Sequence, residues 1–146
     1  VHPTDTSRAA LASPTFTGTP LSTTAAFGTD TTQIATTAFV QSAVRTVPII
    51  AAKVAAYTVA TGDEGELIQL NGTFTVSIPT DATFNFAIGT QINLLSIGTG
   101  VITIAAVTPG TTTVNGTGTK LRAQWSSATL IKRAANTWVV VGDLTT

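Results

Sequence analysis

Asp63, Glu64 and Glu66, set around Gly62 and Gly65, form the one cluster of acidic side chains in this 146-residue chain. Two carboxylates flanking a groove can do acid–base work on a glycosidic bond, and several together can hold calcium. Their spacing matches no EF-hand loop, and Asp81 and Asp143 stand isolated, so the cluster reads as a solvated turn. His2, the single histidine, sits beside Pro3 with no serine or carboxylate motif pointing to it; it is read as neither base nor metal ligand. Gly116-Thr117-Gly118-Thr119-Lys120 combines Gly-rich backbone with a lysine, as a phosphate loop does. Here Lys120 opens a strand instead of a helix, and the run reads as a turn. The sequons Asn71-Gly72-Thr73 and Asn115-Gly116-Thr117 coincide with Asn-Gly hairpin signals, which favours turns over glycosylation. Trp138, ahead of Val139-Val140-Val141, belongs in a core or a subunit contact. Trp125, ahead of Ser126-Ser127 at a strand end, is the candidate to stack on a sugar ring. These residues assemble no catalytic, cofactor or metal set, and the chain is read as a non-enzyme without a cofactor.

Composition narrows the partners. Seven basic and seven acidic residues cancel, and only 10% of the chain is charged. A nucleic-acid binder needs a basic face to displace counterions, so none is expected. With no cysteine, disulfides, thiolate catalysis and thiolate-bound zinc are excluded together. The longest near-apolar stretch, residues 47–56, contains Pro48 and Lys53 and is far too short to span a membrane. Threonine (32 residues) and alanine (21) make up more than a third of the sequence. Threonine's branched carbon suits a pleated surface, while its hydroxyl keeps an outward face soluble without charge.

Three segments must position these residues. Residues 1–30, with Pro3, Pro14 and Pro20 and little aliphatic periodicity, read as an extended arm that orders on a partner surface through Leu11, Phe16, Leu21 and Phe27. Residues 31–56 are read as a helix and linker. The helix, expected over 31–47, would be capped by Asp30 or Thr31 and stopped by Pro48. Ile34, Ala38, Phe39 and Val44 help make it apolar around most of its circumference. Such a helix needs neighbours, and identical helices in a bundle of three would supply them. Residues 57–146 are read as a β head. Strands are expected over 67–70, 73–78, 91–97, 101–107, 120–125, 129–133 and 137–141. Asn71-Gly72 would close a hairpin, with Gly98-Thr99-Gly100, Pro109-Gly110, Asn115-Gly116 and Ala135-Asn136 as further punctuation. The fold class is therefore mainly β: an extended arm, one short trimerising helix, and a small antiparallel β-sandwich or jelly-roll-like head.

Two stretches carry a family resemblance. Ser13-Pro14-Thr15-Phe16-Thr17-Gly18-Thr19-Pro20 followed by Gly28-Thr29-Asp30-Thr31-Thr32-Gln33-Ile34-Ala35-Thr36-Thr37-Ala38-Phe39-Val40-Gln41 resembles a repeat of tailed-bacteriophage and prophage tail-fibre proteins. Residues 120–133 (KLRAQWSSATLIKR) with 136–144 (NTWVVVGDL) are similar to the C-terminal β modules of phage fibre and virion-surface proteins. The resemblance implies a homotrimeric structural component at the surface of a phage particle. Its arm would anchor to another virion protein, and its β head would point toward a host-surface glycan or protein for viral attachment. It carries no catalytic residues across. Small capsid decoration (cement) or head-fibre proteins share this plan and are the alternative expectation.

Overall fold

The computed structural model describes residues 22–26, 35–40 and 47–146, within two compact units, Val1–Thr46 and Val47–Thr146. In the first unit a helical turn covers residues 37–40. Thr36 is its N-cap: its hydroxyl accepts the Phe39 N–H at 3.2 Å and its carbonyl accepts the Val40 N–H at 3.0 Å. The expected helix from Thr31, capped by Asp30 or Thr31, is thus corrected, since Ala35 and Thr36 lie outside it. A threonine hydroxyl competes for backbone N–H groups, which favours a cap over a helix interior.

The second unit is built wholly from strands: β1 (Ile49–Lys53), β2 (Tyr57–Thr58), β3 (Leu67–Leu70), β4 (Phe74–Ile78), β5 (Gln91–Ser96), β6 (Ile102–Ala106), β7 (Thr113–Gly116), β8 (Lys120–Leu121), β9 (Ser127–Ala134), β10 (Thr137–Gly142) and β11 (Leu144–Thr145). They form a six-stranded sheet ordered β1-β3-β5-β9-β10-β7 and a five-stranded sheet ordered β11-β8-β6-β4-β2. Both contribute to one core, which includes Ile68, Leu70, Ile92, Leu94, Leu130 and Val140 from the first sheet and Val76, Ile78, Ile102 and Ile104 from the second. The period-2 alternation that places these side chains inward is what the sequence displayed.

The topology differs from the expected antiparallel sandwich. From β1 to β6 the chain crosses between the sheets at every step, and each strand pairs parallel with the strand two before it. The result is three stacked coils. Antiparallel pairing enters only where β9 joins β5, β9 joins β10, and β8 joins β6 and β11. Of the expected hairpins, the turn at Ala135-Asn136 joins β9 to β10, with Asn136 at φ 47°. Asn71-Gly72 instead carries the chain from one sheet to the other, and Asn115-Gly116 lies inside β7. Strand β1 falls in the stretch read from the sequence as linker.

Close approach between coils explains the parallel winding. The Asn71 N–H bonds to the Lys53 carbonyl of the coil before, and the Ile97 N–H to the Leu70 carbonyl. A Cβ on Gly98 would stand 2.3 Å from Asn71 Oδ1, and one on Gly100 would stand 2.2 Å from the Gly72 carbonyl oxygen. Only residues without a Cβ let these turns stack. Gly100→Ala should therefore force backbone apart and destabilise this unit by about 1–3 kcal/mol, read as a lower urea midpoint at unchanged slope.

Candidate functional site

Connections β1–β2, β3–β4, β5–β6, β8–β9 and β10–β11 leave the strands at one end of the sheets. Four of the five described carboxylates, Asp63, Glu64, Glu66 and Asp81, sit in the connections at the other end. The fifth, Asp143, organises the loop that carries Trp125. Its carboxylate accepts the Ser126 hydroxyl at 2.6 Å and pairs with the Arg122 guanidinium. The Ser126 hydrogen bond, reinforced by Arg122, holds the Asp143 carboxyl below the usual carboxylate range.

Within this loop the Ser126 N–H closes a four-residue turn on the Ala123 carbonyl at 3.1 Å, and Ser126 Oγ accepts the Ala123 N–H. Gln124 Nε2 donates to the Ile97 carbonyl at 2.9 Å, and the Trp125 N–H to the Ser96 carbonyl at 2.7 Å. Trp125 stands at the third position of the turn with φ 69°, and its side chain is 66% exposed. A bulky residue in left-handed backbone is strained by about 1 kcal/mol or more. Strain of this kind persists only where neighbouring bonds over-determine it, as the Ser96 and Ser126 bonds do here. An exposed indole offers a flat apolar face on which a ring can stack. Arg122 and Asp143 pair beside this loop, with both side chains largely open to solvent.

Each of the other sequence candidates has a definite place. The acidic cluster is not a simple solvated turn: Asp63 is buried and accepts the Tyr57 hydroxyl at 2.9 Å and the Ala60 N–H at 2.8 Å, while Glu64 accepts the Gly62 N–H at 2.6 Å. Burial, then the hydrogen bond to Asp63, pushes the Tyr57 phenol up to about 12. Tyr57 is the only tyrosine, so phenolate absorbance should titrate near 12 and move back toward 10 in Asp63→Ala. Since the raised value belongs to the folded state, this contribution to stability is complete below about pH 10 and is lost as the pH rises through 12. Among the described residues no group of three or more His, Cys, Asp or Glu is arranged to hold a metal ion. Nor is any helix there long and apolar enough to cross a membrane.

Gly116 to Lys120 links β7 to β8, with Gly118 pressed on the Thr145 backbone. Trp138 is core, edge-on to Phe86 with ring centroids 5.5 Å apart. Ala38 and Phe39 lie on the helical turn, Ala38 exposed and Phe39 half-buried. Leu11, Phe16, Leu21, Phe27, Ile34 and Val44, together with His2, lie outside the described residues. The chain matches no family model, no curated protein and no solved structure.

The sequence singles out Trp125 as a candidate but not the residues of its loop and their partner: Arg122, Gln124, Ser126 and Asp143. Nor does it single out Lys132, buried at an inward position of β9 with Nζ 2.6 Å from Asp81 Oδ1 and 3.3 Å from Asn85 Oδ1. The signal for Lys132 was present, because it continues the inward alternation Ala128, Leu130, Lys132.

Proposed function

We propose that this chain is a non-enzymatic, self-associating structural protein at the surface of a tailed-bacteriophage particle, a homotrimeric fibre whose β unit presents Trp125 to a host-surface glycan. The observation that carries the reading is Trp125 itself, exposed on a loop whose left-handed backbone is held by bonds to Ser96 at the end of β5. Its partner chemistry is that of a neutral saccharide, whose ring stacks on the indole while its hydroxyls meet the amide of Gln124 and the carbonyls of the loop. The tail-fibre resemblance of residues 13–20, 28–41 and 120–144 supplies the setting, with the arm around Phe16 and Phe27 docking on another virion protein.

Light scattering of the full chain at micromolar concentration should give three times the 14.9 kDa of one chain. A monodisperse monomer overturns the trimer. Deleting residues 1–30 should abolish incorporation into particles and, with it, adsorption, while leaving the capsids as robust as before. Capsids weakened by the deletion would favour a cement role instead.

A further inference from the structure

The two sheets turn unlike outer faces away from the core. On the five-stranded sheet the outward register rows are Thr58–Ser77–Ala105 and Thr75–Thr103–Lys120–Thr145, a hydroxyl-rich surface with a lysine in its middle. On the six-stranded sheet the rows are Ile49–Leu67–Asn93–Thr129–Val141, Gln91–Ile131–Val139–Asn115 and Gln69–Leu95–Ser127. Six aliphatic side chains thus stand on that face among amides and hydroxyls, and none of these three rows contains a charge. Ile49 and Val141 are more than half exposed. A shallow depression of about 330 Å³, bordered by Leu67, Asn93, Ser127 and Thr129 among others, lies across β3, β5 and β9.

We infer that the outer face of the six-stranded sheet is where copies of this chain meet; this rests on the self-association proposed above and assigns it a surface. The occupant follows from the chemistry. Apart from Arg133 at the end of β9, this face carries no charge along its rows, so it offers little counter-charge to an acidic or basic partner, yet it is compatible with itself. The amides of Gln69, Gln91, Asn93 and Asn115 combine donors with acceptors; Asn93 Oδ1 already accepts the Thr129 hydroxyl and Asn115 Nδ2 donates to the Trp138 carbonyl, and the remaining groups can pair between identical faces. Contact there would also bring cover to Ile49 on β1, an apolar edge strand that otherwise invites indiscriminate pairing. The size of the face sets its role. Six strands spaced at ~4.8 Å, each about five residues long, span roughly 24 by 17 Å. That is below the ~800 Å² per partner of a standard stable interface. The face therefore contributes to an assembly that a second contact, such as paired helices, must reinforce through effective concentration.

The cysteine-free sequence permits a clean test on the full chain. Ile131→Cys places a thiol on the proposed face, and Thr103→Cys places one on the opposite sheet, both at positions half-buried within one chain. In the assembled protein the thiol at 131 should react with a maleimide roughly tenfold or more slowly than that at 103, because a closed interface reacts only in its opened fraction. Ile131→Glu should shift the sedimenting species toward lower mass. Equal labelling in a chain that sediments as an oligomer would overturn this face while sparing self-association. A chain that sediments as a monomer would overturn both.

Discussion

Asp81→Ala should destabilise the β unit by about 3 kcal/mol, because it strands the Lys132 ammonium in a site that is 1% exposed. For a unit of this size that lowers the melting temperature on the order of 15 °C. Asn85 remains within reach of Nζ, which sets the expectation at the lower end of what breaking a buried pair costs. Asp81 does more than balance charge. Its second carboxylate oxygen accepts the Asn136 N–H at 2.9 Å, and its own N–H donates to Asn136 Oδ1 at 2.8 Å, fixing the β9–β10 turn. Lys132→Met should cost less than Asp81→Ala, since methionine fills the volume of the lysine stem while Asp81, 19% exposed, keeps its backbone bond. The double variant should be more stable than Asp81→Ala alone. Urea unfolding of the three variants checks this order, and an Asp81→Ala variant as stable as the parent contradicts it.

The pair also fixes an acid limit. Burial alone would raise the Asp81 carboxyl, but the hydrogen bonds from Lys132 and Asn136, with the lysine charge, outweigh it and hold the carboxyl below its ordinary value. A lowered carboxylate contributes stability that is present above about pH 4 and is lost as the pH falls through the folded-state value. Asp143, lowered by Ser126 and Arg122, acts in the same direction. Asp81→Ala should flatten this acid dependence as well as lower the plateau.

Trp125→Gly should separate function from stability. Removing an exposed indole from left-handed backbone sacrifices no core packing, so stability should hold or rise by up to about 1 kcal/mol. Binding of a saccharide that stacks on the ring should fall at least about 30-fold, the equivalent of the 2 kcal/mol typical of a dominant aromatic contact. Calorimetric titration and thermal melting of the same protein read the two effects. Loss of both stability and binding would make Trp125 a structural residue.

The alternation of Ile68 with Leu70, Val76 with Ile78 and Ile102 with Ile104 was legible because burying one face of a strand imposes period 2 on the residues themselves. Which strand pairs with which was not. Asn71-Gly72 is a strong hairpin signal by local geometry, yet its backbone bonds to Lys53 in the previous coil. That partner is remote in sequence and leaves no local trace except the small residues Gly98 and Gly100 of the next coil. β1 was hidden inside an apolar run whose alternation is blurred by Ala51 and Ala52. At the site, an aromatic beside two serines was readable, whereas its left-handed backbone depends on carbonyls supplied by Ser96 and Ile97. The Lys132–Asp81 pair joins residues 51 positions apart, and nothing local to either residue announces the other.

The most direct test of the attachment role is binding of the labelled full chain to intact bacterial cells, competed by purified neutral surface polysaccharide. Across a panel of cells, saturable binding to a subset is expected, displaced by polysaccharide from those cells and abolished in Trp125→Gly while the variant stays folded and trimeric. Saturable binding that Trp125→Gly retains in full, or an absence of saturable binding across the panel, would contradict that role.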